Sequence, residues 1–94
     1  MKVEIKFFTS LREITGKKVD QLQLQSSITV DELIIMLSEK YGKKFREYIY
    51  NHKGEPQEYL SFLVNGTNIN KIEGFNTKLK NEDIIAILPP VGGG

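Results

Sequence analysis

The sequence predicts a two-layer α+β domain, a mixed sheet of four or five strands packed on one main helix. Three features carry that prediction. Polar and apolar residues alternate from Lys2 to Phe7, the stretch from Val30 to Tyr41 has one apolar stripe bounded by helix caps, and Ile84-Ile85-Ala86-Ile87-Leu88 is an unbroken apolar run. These are the patterns of a half-buried strand, an amphipathic helix and a central strand.

Each element has its own warrant. In Lys2 to Phe8, Val3, Ile5 and Phe7 share one face, and Lys2, Glu4, Lys6 and Phe8 share the other. Ser10-Leu11-Arg12-Glu13 reads as a capping box, with Ser10 as N-cap and Glu13 reaching back, for a short helical turn before Gly16. Lys18 to Leu24 reads as a second strand, with Asp20, Leu22 and Leu24 on alternate positions, close enough to the first to pair antiparallel. Thr29-Val30-Asp31-Glu32 is another capping box, with Ile28 and Leu33 at the two positions of a hydrophobic staple. Val30, Leu33, Ile34, Leu37 and Tyr41 form the apolar stripe of a helix from Val30 to Tyr41. Acids fill its first turn, Lys40 lies near its end, and Gly42 supplies a left-handed stop. Phe45, Tyr48 and Ile49 have the spacing of a second short helix, and Asn51 to Pro56 is a polar loop.

Tyr59 to Val64 reads as a strand, Asn65-Gly66 as a hairpin turn, and Asn68-Ile69 as a short return strand. Gly74 and Lys80-Asn81-Glu82-Asp83 mark turns. The run Ile84 to Leu88 suits a central strand covered on one face and largely covered on the other, and Pro89-Pro90 ends it. The most apolar strands are the first and the last, which places them side by side and parallel in the middle of the sheet. That order is the β-grasp pattern: one domain over residues 1–94, with a globular body 1–88, an extended tail 89–94, and neither repeat nor linker.

Composition excludes several kinds of chemistry. With 94 residues the chain has room for one modest core. It has no cysteine, which excludes a thiolate metal site, an iron–sulfur cluster and a thiol nucleophile. Thirteen Lys+Arg against 12 Asp+Glu leave a net charge of +1, unlike a dedicated nucleic-acid binder. No apolar run approaches the ~20 residues that span a bilayer, and the alternating start is not a signal peptide, so a cytoplasmic location is expected.

Side-chain catalysis has little to work with. His52, the one histidine, lies in a polar loop beside Gly54. Asp31-Glu32 and Glu82-Asp83 are neighbours in sequence and fit a helix N-terminus and a turn. Lys17-Lys18 and Lys43-Lys44 read as solvated surface. The glycines do not lie between a strand and a helix, as a phosphate loop requires.

What remains is the ending Leu88-Pro89-Pro90-Val91-Gly92-Gly93-Gly94. A frayed end or a cloning remnant are the plain alternatives. Against them, the tail begins where a central strand ends, so its base is fixed. The prolines favour extended geometry, and the glycines fit a channel too narrow for a Cβ. Pro89 to Gly94 reach about 20 Å when extended, enough to deliver the Gly94 carboxylate into a partner's active site. Alternation also turns Phe8, Ile84, Ala86 and Leu88 away from the helix. If the first and last strands are neighbours, these residues form an apolar docking patch at the root of the tail. The competing expectation is that the Lys43–Tyr50 segment or a loop covers them.

The strand Lys2-Val3-Glu4-Ile5-Lys6-Phe7-Phe8 with Leu11-Arg12-Glu13, the Val64-Asn65-Gly66 turn and the ending Ile87-Leu88-Pro89-Pro90-Val91-Gly92-Gly93-Gly94 together resemble the small subunit of molybdopterin synthase (MoaD-like), among the ubiquitin-like sulfur carriers. The resemblance covers the whole chain. The terminal Gly-Gly is shared with ubiquitin-like modifiers and thiamine sulfur carriers, whereas Pro-Pro-Val-x-Gly-Gly after an apolar strand is more specific. The segment Lys43 to Glu58 is longer than in the shortest members and has no assigned role.

The resemblance implies a mechanism. A ubiquitin-activating-type adenylating enzyme, using ATP and magnesium that this chain does not itself bind, converts the Gly94 carboxylate to an acyl adenylate. A sulfur donor displaces AMP and leaves a thiocarboxylate. The carrier docks on the large synthase subunit, in a heterotetramer of two small and two large subunits, inserts Pro89 to Gly93, and supplies sulfur to a pterin precursor of the molybdenum or tungsten cofactor. Other outlets remain for the same activated end: conjugation to a lysine amine as a protein modifier, or sulfur donation to tRNA. A plain interaction module is the unrelated alternative.

Overall fold

The sheet is organised around its most apolar strand. In the computed structural model, which describes residues 1–90, the strands are β1 (Lys2–Lys6), β2 (Val19–Gln23), β3 (Ser61–Val64), β4 (Thr67–Asn68) and β5 (Ile84–Leu88). They lie in the order β2-β1-β5-β3-β4. β5 runs parallel to β1 and antiparallel to β3, and β1 and β2 pair antiparallel. The β3–β4 hairpin turns on Asn65 and Gly66, whose φ angles of 50° and 85° suit the two-residue loop that matches strand twist. This is the β-grasp arrangement expected from element order.

Three helices cover one side: α1 (Ser10–Thr15), α2 (Val30–Tyr41) and α3 (Lys43–Ile49). Single 3-10 turns at Ile69–Lys71 and Gly74–Asn76 close the crossing from β4 towards β5. Every second residue of the central strands (Val3, Ile5, Ile85, Ile87, with Phe7 just beyond β1) is buried against Val30, Leu33, Ile34 and Leu37 of α2. The Thr29–Glu32 capping box forms in both directions. Phe45 and Ile49 bury α3 in the same core, with Phe45 stacked on Tyr41 and edge-on to Phe7.

Three expectations need correction. Ser10 is the first residue of α1 and forms no capping box. The N-cap position is Thr9, at φ 47°, without a side-chain cap, because the chain must reverse sharply out of β1. Gly42 does stop α2 with a positive φ of 91°, but its ψ of −158° is not left-handed helical. It is a corner that also starts α3, a conformation that suits glycine alone. The return strand ends at Asn68, and Ile69 already belongs to a 3-10 turn. The outer face of β5 is less covered than the inner one, as the sequence predicts: Ile84 is 37% exposed, and Ala86 and Leu88 are half-buried.

Candidate functional site

The end of β5 is positioned from both sides. The parallel pairing with β1 sets Glu4 against Ile84 and Lys6 against Ala86. The antiparallel pairing with β3 sets Leu63 against Ala86 and Ser61 against Leu88. At the strand's start, Asn65 acts as a brace. Its Oδ1 accepts from the Ile84 N–H (2.9 Å), and its Nδ2 donates to the buried Asp83 carboxylate (2.8 Å), which also accepts from the Lys80 N–H (2.7 Å). The strand then passes directly into Pro89 and Pro90, which cannot extend the ladder.

The open face collects most of the expected docking residues. Ile84, Ala86 and Leu88 share it along β5. The β1–β5 ladder ends at Lys6 and Ala86, two residues short of Phe8 and Leu88. Phe8 is half-buried under the Arg12 guanidinium, 5.3 Å from the ring, and Arg12 Nε donates to the Phe7 carbonyl (3.0 Å). The Lys43–Ile49 helix does not cover this face, because Phe45 and Ile49 bury it in the core on the other side of the sheet. Two apolar members went unnoticed in the sequence: Leu63, beside Ala86, and Val19 of β2, beside Lys6. Counting alternate residues back from the Asn65-Gly66 turn would have found Leu63. Pro89 and Pro90 are described residues, whereas Val91, Gly92, Gly93 and Gly94 lie outside the described residues.

Side-chain chemistry is sparse around this root. Among the described residues, no three His, Cys, Asp or Glu side chains come together as a metal site. His52 is exposed in its loop. The buried acid Asp20 is satisfied on β2, accepting from Lys40 Nζ (2.8 Å) and from the Tyr41 hydroxyl, with Lys17 Nζ at 3.6 Å. Burial alone would raise the Asp20 carboxyl. The Lys40 and Tyr41 hydrogen bonds and the Lys40 and Lys17 charges outweigh it and hold the carboxyl below its ordinary value. Burial and the Asp20 carboxylate push the Tyr41 phenol well up, and burial with the Asp31 charge raises Tyr50. Asp20, Lys40 and Tyr41 brace the scaffold between β2 and α2. No helix among the described residues is long and apolar enough to cross a membrane.

Comparison with known proteins agrees with this geometry. The model of the ThiS family matches residues 5–94. Small archaeal modifier protein 3 of Haloferax volcanii is 29% identical over 94 residues, covering all of both chains. A protein of Archaeoglobus fulgidus, for which a sulfur-carrier role has been suggested, is 39% identical over 67 residues, 71% of this chain and 75% of its own. The solution structure of small archaeal modifier protein 1 from Methanosarcina acetivorans superposes with a TM-score of 0.81 at 34% identity, covering 99% of this chain and 96% of that one.

Proposed function

This chain belongs to the ThiS family, and from that premise we propose that it is a ubiquitin-like carrier that acts through the carboxylate of Gly94. The observation that carries the proposal is the handover at Leu88. A central strand held by β1 on one side and β3 on the other runs straight into Pro89-Pro90, beside a partly exposed apolar face. A partner that docks on that face finds the start of the tail at a fixed position and orientation, which removes much of the entropy cost of presenting its end.

The chemistry starts at an unreactive carboxylate. An adenylating enzyme of the ubiquitin-activating type, with ATP and magnesium, lets a Gly94 oxygen attack the α-phosphorus of ATP. Pyrophosphate leaves and a mixed anhydride forms. A lysine amine then attacks the Gly94 carbonyl carbon, AMP leaves, the nitrogen loses a proton, and an isopeptide bond joins the two proteins. The modifier reading takes first place because relatives named as modifiers match essentially the whole chain. Sulfur transfer is the second reading. Hydrosulfide released by a sulfur donor attacks the Gly94 carbonyl carbon, AMP leaves and a thiocarboxylate remains, which passes sulfur to a pterin precursor on a molybdopterin synthase large subunit, or to tRNA. The Pro89-Pro90-Val91 step before the glycines and the Archaeoglobus relative favour it.

One experiment separates the two. The chain is incubated with its activating enzyme, ATP and magnesium, once with cell lysate and once with a sulfur source, and intact masses are read. Lysine adducts through Gly94 support the modifier. An oxygen-to-sulfur exchange at Gly94 supports the carrier of sulfur. No change at Gly94 with an enzyme that hydrolyses ATP in its presence overturns both.

A further inference from the structure

The 51–60 loop, which the tail chemistry does not use, builds one wall of a cleft of about 400 Å³. The opposite wall is Asn68 to Asn70 with Phe75. Phe75 is half-buried, and its ring lies edge to face on Phe62, 5.1 Å between centroids. Leu60, which lines the cleft, directly precedes Ser61, the partner of Leu88 on β5.

Charge singles out this cleft. The chain carries 13 Lys+Arg, yet none lines the cleft, while Glu55 and Glu58 both do. Among the described residues neither carboxylate forms an ion pair; both ion pairs there belong to Asp20. The amides nearby are oriented. Asn51 Oδ1 accepts from the N–H groups of Lys53 and Glu55, and Asn68 Oδ1 accepts from that of Asn70. Both Nδ2 groups are thereby left to donate to an incoming carbonyl.

We propose that this cleft binds an arginine or lysine side chain presented by an extended segment of another protein. The aliphatic stem lies on the Phe75 ring, the cation meets Glu55 and Glu58, and the Asn51 and Asn68 amides take carbonyls of the segment's backbone. Charge complementarity selects this occupant: an acidic or phosphorylated segment meets two carboxylates and no cation.

The test uses the full chain labelled with nitrogen-15 and a capped pentapeptide, Gly-Arg-Gly-Arg-Gly, at low salt. A second peptide replaces both arginines by citrulline, which keeps the shape and removes the charge. The expected result is amide shifts clustered at 55–58, 68–70 and Phe75, absent with citrulline. Glu55→Gln with Glu58→Gln should weaken binding about five- to tenfold with the rest of the spectrum unchanged, since both side chains are exposed. Equal shifts with the citrulline peptide, shifts scattered elsewhere, or none up to about 10 mM peptide overturn the proposal. The readout does not involve Gly94, so it stands or falls apart from the tail chemistry.

Discussion

The two faces of β5 share a backbone and almost a composition, yet they meet different surroundings. Ile85 and Ile87 are 0% and 1% exposed against the helices, while Ile84, one residue away, is 37% exposed. The inner face owes its apolar residues to packing. The outer face, with Ile84, Ala86, Leu88 and the neighbouring Leu63, is only partly covered among the described residues. An apolar face left partly in water suits a partner, and one that fills the core does not.

Substitution should separate the two faces. The largest effect is expected for Ile87→Ala, which leaves a cavity in the core and should cost about 2–5 kcal/mol by urea unfolding. Leu88→Arg, on the opposite face, should change stability by about 1 kcal/mol or less and instead weaken binding to the activating enzyme; Phe8→Arg should do the same. Unchanged affinity in both would remove the docking patch from the account.

Asn65→Ala tests the brace at the start of β5. It removes the side-chain acceptor of the Ile84 N–H and a donor to the buried Asp83, at a position with φ of 50°. The expected cost is about 2–3 kcal/mol. Thr29→Ala removes the α2 cap and should cost about 1 kcal/mol.

The smallest effect is electrostatic. The Asp20 carboxyl is lower in the folded chain than its ordinary value of 3.8. The stability it contributes is therefore full above that value and is lost as pH falls through the folded value. Asp20→Asn should flatten the acid limb of the stability curve. Tyr41 is raised from 10.0, so its contribution is lost as pH rises beyond about that value, and Tyr41→Phe should flatten the alkaline limb.

Much of this was legible in the chain because local rules and burial agreed. The alternation in Val3-Ile5-Phe7, the Thr29–Glu32 box and the Ile84–Leu88 run each specify one element, and their order sets the parallel centre. Ser10 misled because a sharp exit from β1 overrode the capping pattern. The cleft was not legible at all: its walls come from residues 51–58 and 68–75, joined only by the fold.

The sequence also ranked the pterin pathway first, on the strength of the Pro-Pro-Val step. The proposal puts the modifier outlet ahead of it, because relatives named as modifiers match essentially the whole chain.

The most direct test of the central claim is mass spectrometry of the chain recovered from its own cells, comparing the native form with one lacking Gly94. The account predicts that the native chain appears with its terminal carbonyl on lysine amines or bearing sulfur, that the shortened chain shows neither, and that both unfold at the same urea concentration. An unmodified native terminus in cells that express the activating enzyme, or a shortened chain that still forms adducts, would contradict it.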